Sequence, residues 1–276
     1  MILVTGATGL VARPLIELLV AEGAKVRAVS RSPETAGLPD GVEVVARPDV
    51  FDGVSALFLH PRAVASGAVE LLDLARRHGV RRVVALSASN VDDDLADQPS
   101  RFRGDRNKEA EQAAAGSGLE WVSLRACSFA VNTLHPWGGQ IRGGDVVSGP
   151  YAKFAEAWIH ERDLAAVGAR ALLTDQFAGQ RLELTGPRSL THEETVAIIG
   201  EVIGRPLRYQ EIPPEAAAQG MVARGFPQAF VDALMARYAR GAGQPARVTG
   251  EVERVLGRPA RTFAEWVADH AAAFEG

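Results

Sequence analysis

Four apolar residues, Met1-Ile2-Leu3-Val4, run straight into Thr5-Gly6-Ala7-Thr8-Gly9-Leu10-Val11-Ala12. Glycines three positions apart let a backbone turn sharply and leave amide N–H groups uncovered. Such amides suit an anion. The unbroken apolar run before them suits a strand buried on both faces. Val11, Leu15, Leu18 and Leu19 then recur at helical spacing. Pro14 falls near the first helical turn, where a missing N–H costs little. A glycine turn between a buried strand and a helix makes a phosphate cradle, because free amides and the positive helix end both favour negative charge. The spacing Gly6-x-x-Gly9-x-x-Ala12 departs from the strict G-x-G-x-x-G fingerprint. Two readings follow. One is a dinucleotide site at Gly6, Thr8, Gly9, Leu10 and Val11; the other is an ordinary strand–turn–helix.

The end of the next strand chooses the cofactor. NAD enzymes place a carboxylate about 20 residues past the glycines, on the ribose 2′-hydroxyl. Residues 25–29 read as a strand ending in Ser30-Arg31, with no carboxylate before Glu34. A guanidinium beside a small hydroxyl suits a 2′-phosphate, which it can grip bidentately. NADPH is therefore expected over NADH, held at Ser30 and Arg31 with Arg27 as a second candidate. The other reading of Arg31 is a solvated surface residue.

Thr5-Gly-Ala-Thr-Gly9 at this position resembles the NmrA-like, NAD(P)-binding group of atypical short-chain dehydrogenase/reductases. The likeness recurs along nearly the whole chain. It implies an α/β fold, a Rossmann doubly wound parallel sheet with helices on both faces and a small C-terminal substrate-binding lobe. Residues 1–135, with 159–186 returning to them, would form the NADP-binding core; residues 136–158 and 187–276 would form the lobe. The resemblance puts Asp49 and Val50 at the adenine, although Asp49 also reads as a turn residue before Asp52-Gly53. It makes Ser89, or alternatively Ser87, the serine that holds a substrate carbonyl beside the nicotinamide. It puts Lys108 on the nicotinamide ribose hydroxyls. Leu124-Arg125-Ala126-Cys127-Ser128-Phe129 through Asn132 is similar to the family's L-R-P-x-x-F-x-x-N segment, with Ala126 for the proline. Phe129 and Asn132 would then border nicotinamide and substrate. Asp163 matches a family helix start and is expected as an N-cap.

One departure bears on the chemistry. Catalytic members carry Tyr-x-x-x-Lys, and the register here is Gly104-Asp-Arg-Asn-Lys108, with no tyrosine before Tyr151. A reductase needs a hydride, which the cofactor supplies, and a proton for the alkoxide that forms. Three routes stay open. The chain reduces nothing and senses the cofactor's redox state, as NmrA-like regulators do. Another group acts: Ser89 through a water, His60, His135 or Tyr151. Or the substrate carries its own acid. The leading expectation is an NADPH-dependent reductase of a ketone or quinone on a bulky, polycyclic aromatic, polyketide-like substrate. Tyrosine-lacking angucyclinone-type ketoreductases of polyketide antibiotic biosynthesis, which the chain resembles, are the precedent; the NADP-sensing regulator is the alternative.

Further elements must position these residues. Periodicity predicts strands over 42–46, 54–59, 82–86, 121–126 and 181–185, and helices over 64–78, 107–115, 227–240 and 262–274. Thr191 and Glu194 have the spacing of a capping box. Strand ends on one side of such a sheet line the cofactor cleft, which puts Leu59 and His60 there; a packed or solvated histidine is the other reading of His60. The glycine-rich stretch 138–150 reads as a loop over the site. His135, Trp137, Tyr151, Phe154 and Trp158 interleave around it, either as an apolar substrate wall with Trp137, Tyr151 and Trp158 at the substrate, or as lobe core.

The chain's 276 residues are 47% hydrophobic and 23% charged, ordinary for a soluble globule. A net charge of −4 gives no reason to expect nucleic acid or anionic membrane as a partner. One cysteine, Cys127, excludes an internal disulfide and a cysteine-based zinc site, and no metal is expected. No apolar run reaches the roughly 18 residues of a membrane span, and the first strand leaves no room for a signal peptide. A cytoplasmic monomer or homodimer acting on a small molecule is expected.

Overall fold

The computed structural model describes residues 1–64 and 67–275. Its strands, in chain order, are β1 (Ile2–Val4), β2 (Val26–Val29), β3 (Glu43–Val45), β4 (Ala56–Leu59), β5 (Arg82–Ala88), β6 (Glu120–Ala126), β7 (Val146–Gly149), β8 (Ala155–Glu156), β9 (Gln180–Leu184), β10 (Leu190–Thr191) and β11 (Arg208–Glu211). Seven of them form one sheet in the order β3-β2-β1-β4-β5-β6-β9. Every pairing in it is parallel. Chain order reverses at β1, which pairs β2 on one side and β4 on the other, and in open sheets of this kind ligands bind outside the strand C-termini at such a reversal.

The helices are α1 (Ala12–Ala21), α2 (Pro61–Val64), α3 (Ala68–Arg77), α4 (Asn107–Gly116), α5 (Gly139–Gly143), α6 (Glu161–Leu173), α7 (His192–Ile203), α8 (Pro214–Ala223), α9 (Gln228–Gly241), α10 (Glu251–Leu256) and α11 (Phe263–Asp269). Side chains alternate across a strand, so Leu3 and Val4, both fully buried, serve opposite faces. Val4, Phe58, Val84 and Leu124 pack against α1 and α6 through Leu15, Ile16, Leu19 and Leu164. Leu3, Leu57, Leu59 and Val83 pack against α3 and α4 through Leu71, Leu72, Ala110 and Ala114. A separate core, including Trp137, Trp158, Ile199, Trp266 and Phe274, holds the lobe together. Among the described residues no helix is long and apolar enough to cross a membrane.

The structure departs from expectation at identifiable places. Leu18 is 37% exposed; Ala12 and Ile16 complete the buried stripe of α1 instead. The helix expected over 64–78 is represented by α2 and α3, and residues 65 and 66 of that expectation lie outside the described residues. Asp163 is not an N-cap. His160 caps α6, its Nδ1 accepting from the Arg162 amide at 3.2 Å. Asp163 lies inside the first turn, fully buried, and accepts from Arg258 at 2.7 Å, from the Arg261 amide at 2.6 Å and from the Arg261 side chain. A buried carboxylate persists only when paired in this way. The pairing draws the C-terminal segment onto the main core, where Val252 and Val255 of α10 pack. Leu256 and Ala260 pack against the same core. The Thr191–Glu194 box forms as expected, with reciprocal bonds of 3.2 and 2.8 Å.

Candidate functional site

The glycine turn is built from the two central strand ends. The Thr5 hydroxyl donates to the Phe58 carbonyl at 2.9 Å and accepts from the His60 amide at 2.8 Å, tying the exit of β1 to that of β4. Gly6 has φ 66°, the left-handed region that glycine enters freely. A Cβ there would also lie 3.0 Å from the His60 ring, and one at Gly9 would lie 3.0 Å from the Gly6 carbonyl oxygen. A side chain at Gly6 is disfavoured by its left-handed backbone and by contact, one at Gly9 by contact alone. The Ala7 amide donates to the Val29 carbonyl and the Gly9 amide to the Gly6 carbonyl. Thr8 and Leu10 are exposed on the turn; Val11 is buried and can offer only its backbone. In the first turn of α1 the Arg13 and Leu15 amides donate to the Gly9 and Val11 carbonyls and Pro14 has none, which leaves the Ala12 amide at the helix start to open onto the same place. Such a cradle fits the pyrophosphate of a dinucleotide.

Leu59 is fully buried and supports the cleft from below. His60 packs over Gly6, and its Nδ1 accepts from the Arg62 amide at 3.2 Å, which leaves the proton on Nε2. Burial pushes its pKa below the usual histidine value, against the pull of Asp105, so the ring is neutral.

Around the exit of β2, Ser30 is buried and its hydroxyl accepts from the Ser32 amide at 3.2 Å. Arg31 is exposed and makes no ion pair among the described residues. Arg27, the second candidate, is excluded. It is 6% exposed and donates to Glu43 at 2.9 Å and to the carbonyls of Val50 and Asp52 at 2.9 and 3.1 Å, fastening β2 to β3 and to the following turn. The Asp49 carboxylate is gripped by Arg47, with Nε–Oδ1 at 3.1 Å, and that bond holds it below the usual carboxylate range. Arg47 is largely exposed, so Asp49 can exchange this partner for another at little cost.

The two expected serines part company. Ser87 lies inside β5, 3% exposed, and donates to Glu111 Oε2 at 2.9 Å; strand alternation turns it under α4 and out of the cleft. Ser89 follows the strand. Its amide donates to the Ala126 carbonyl at 2.8 Å, holding it beside the end of β6 with its side chain exposed. Lys108, on the first turn of α4, is half-buried and lines a cleft with Val91, Asp92, Glu111, Gln112, Arg125 and Arg181. Ser89 is not part of that lining.

Sequence reasoning missed the group beside Lys108. Glu111, 4% exposed, accepts from Ser87, from Ser123 at 2.6 Å, from Arg125 at 2.6 and 3.0 Å and from Arg181 at 2.8 Å. Burial alone would raise its pKa, but these donors outweigh it and hold the carboxyl at about 2. Arg125 also reaches Asp92 at 2.6 Å, on the loop that carries Ser89. A glutamate among Ala110, Ala113 and Ala114 was the available signal, since an acid on a buried stripe must be paired.

Gly104 ends a short turn, Pro99–Arg103, with φ 95°, three residues before α4 begins. Nothing lies within 4 Å of a Cβ placed there, so the space is open, yet the backbone disfavours any L side chain. Phe129 is half-buried and Asn132 exposed beyond the end of β6. Trp137 and Trp158 are not a substrate wall. Both are buried in the lobe core, Trp158 donating to Thr195 at 3.0 Å and Trp137 meeting it edge-on at 6.4 Å. Large rings in that segment find α7 to pack on, and burial wins over exposure to a ligand. Tyr151 stays half-exposed, 6.3 Å from the ring of Tyr238. Among the described residues no cluster of metal ligands exists.

A parallel sheet of this order, with a glycine cradle at its reversal point, defines a dinucleotide-binding protein of the Rossmann type. Residues 6–175 match the NAD(P)H-binding family, and the chain belongs to that family, as an enzyme of the atypical short-chain dehydrogenase/reductase type. It is 36% identical over 288 residues to the (4-alkanoyl-5-oxo-2,5-dihydrofuran-3-yl)methyl phosphate reductase of Streptomyces griseus, covering 99% of both chains. It is 32% identical over 289 residues to the NAD(P)H azoreductase of Xenophilus azovorans, again over 99% of both. Its fold matches that of an NADPH-dependent quinone oxidoreductase from Escherichia coli with a TM-score of 0.79 at 23% identity, over 98% of this chain and 100% of the other.

Proposed function

We propose that the chain is an NADPH-dependent reductase of conjugated, electron-poor acceptors, quinones or conjugated ketones on bulky ring systems, and that it works without a protein acid at the usual tyrosine position. Gly104 carries this reading: glycine stands at the tyrosine position, and its left-handed backbone, in a turn ahead of α4, disfavours any L side chain there. Arg31, exposed and unpaired among the described residues, supports the 2′-phosphate preference.

Bound in the cradle, the cofactor supplies the hydride. An isolated ketone would then leave an alkoxide, which needs a positioned acid. A quinone or a conjugated dicarbonyl leaves a charge spread over several atoms. That anion is a far weaker base, and water can protonate it. Ser89 donates its hydroxyl hydrogen to the acceptor's carbonyl oxygen and so favours the charged form. An oxo-dihydrofuran bearing an alkanoyl group, an azo compound and a quinone are all conjugated acceptors, and this likeness among the relatives supports the reading. Polycyclic polyketide quinones fall in the same chemical class.

The test is NADPH oxidation with menadione, an azo dye, a conjugated lactone and cyclohexanone. Turnover of the conjugated compounds without turnover of cyclohexanone is expected. Cyclohexanone reduced as fast as menadione would overturn the proposal, since a protein acid would then have to exist.

A further inference from the structure

We infer that the substrate of this site carries an anionic group, a phosphate ester or a carboxylate, and that Arg103 receives it. The inference rests on the reductase reading above. Arg103 closes the Pro99–Arg103 turn on the loop that leaves β5. Its guanidinium lies 5.9 Å from the ring centroid of Phe226 and 5.7 Å from that of Phe230, where α8 passes into α9. The two rings stack at 5.5 Å and 19°. Phe226 in turn meets His135 edge-on at 6.4 Å, and His135 belongs to the turn that follows β6. A continuous row, Arg103, Phe230, Phe226 and His135, therefore spans from the exit of β5 to the exit of β6. Ser89 and Phe129 follow the same two strands, β5 and β6.

Five cations on the same or facing segments are otherwise occupied, while Arg224, two residues before Phe226, is exposed and makes no ion pair among the described residues. Arg62 forks onto Asp105 at 3.0 and 2.8 Å. Arg101 pairs with Glu109 at 2.6 Å and Arg240 with Asp97 at 3.2 Å. Arg237 forks onto the buried Glu156 at 2.7 and 2.8 Å. Arg106 donates to the carbonyls of Arg101 and Asp105, each at 3.0 Å. Arg103 is exposed and has no carboxylate partner among the described residues. A guanidinium that packs near aromatic rings can keep N–H groups free to fork onto a phosphate or carboxylate. Arg103 is therefore an unspent guanidinium on the loop between β5 and α4, the loop that also carries Ser89.

The experiment compares two acceptors, a naphthoquinone with a methyl phosphate arm and the same quinone with a hydroxymethyl arm. Wild type should prefer the phosphate by about tenfold or more in kcat/KM, the size of one charge-assisted contact, and chiefly through KM. Arg103→Gln should bring the preference close to unity, Arg103→Lys should keep part of it, and Arg240→Gln should leave it unchanged. A preference that survives Arg103→Gln overturns the inference. If neither quinone is turned over, the reductase reading fails, and the receptor is tested by calorimetry on NADP-loaded protein. Phenyl phosphate should then bind wild type more tightly than it binds Arg103→Gln, with benzyl alcohol as the neutral control. Equal binding of phenyl phosphate to both proteins overturns the inference.

Discussion

Replacing Glu111 by glutamine exchanges a carboxylate that serves four side chains for a neutral amide with one acceptor oxygen. Ser87, Ser123, Arg125 and Arg181 all donate to it. The new NH2 group would face guanidinium donors, and Arg125, only 16% exposed, would keep Asp92 as its single acid partner. Removing one member of a buried pair costs about 3–5 kcal/mol. Arg181 is 47% exposed and can turn to water, so the lower end, about 3 kcal/mol, is expected at neutral pH. For a chain of this size that corresponds to a melting point roughly 6–12 °C lower. Acid titration supplies an independent reading. The carboxyl is held at about 2 in the folded protein against 4.5 ordinarily. Its contribution is therefore fully present above pH 4.5 and is lost as pH falls from 4.5 toward 2, by no more than about 3 kcal/mol. Urea unfolding followed by tryptophan fluorescence, at neutral pH and across that acid window, measures both. Glu111→Gln should lose stability at neutral pH and should lack that part of the acid-induced decline. A variant within about 1 kcal/mol of wild type, the ordinary effect of a substitution, would refute this account of the cluster.

Arg31→Glu should weaken NADPH binding by about tenfold or more, the range of a charge-assisted hydrogen bond, and leave NADH nearly unaffected in parallel fluorescence titrations; equal losses for both cofactors would remove the 2′-phosphate assignment. Ser89→Ala should lower kcat with menadione at least about tenfold, or about 1.4 kcal/mol of barrier, whereas Ser87→Ala should act on the melting temperature through Glu111. Gly104→Tyr should cost about 1–2 kcal/mol in denaturant unfolding, because its φ is left-handed, and should not confer reduction of cyclohexanone. Gain of that activity would show that the position can host a catalytic tyrosine after all.

The half of the molecule that binds cofactor was legible because its signals are local. A strand without a polar break, two glycines and an apolar stripe occupy a dozen consecutive residues, and each element constrains only its neighbours. The Thr191–Glu194 box was legible for the same reason. The equivalent box at Thr262 and Glu265, with reciprocal bonds of 3.2 and 2.7 Å, carried the same spacing and was overlooked. What escaped was decided by distant partners. Arg27 and Arg31 are both arginines on one strand exit, and only the positions of Glu43, Val50 and Asp52 commit the first to structure. Ser87 and Ser89 differ by two residues, but Glu111 claims the one inside the strand. Trp137 and Trp158 could be sorted only by knowing that α7 comes back to cover them. Pairing across tens of residues leaves no periodic trace in a single sequence.

The burial of Asp163 has a consequence for how the chain is made. Its acceptor oxygens are satisfied by Arg258 and by Arg261, 95 and 98 residues later. At a synthesis rate of about 5–20 residues per second, α6 leaves the ribosome roughly 5–20 seconds before those partners do. During that interval the carboxylate has to stay hydrated, so the sheet face that α6 will cover cannot close over it without stranding a charge. The nascent cofactor core is thus kept reversible until the last segment arrives, and commitment to the native state is deferred to the end of translation. Stalling the ribosome before residue 258 should leave α6 accessible to protease, and releasing it should seal that helix.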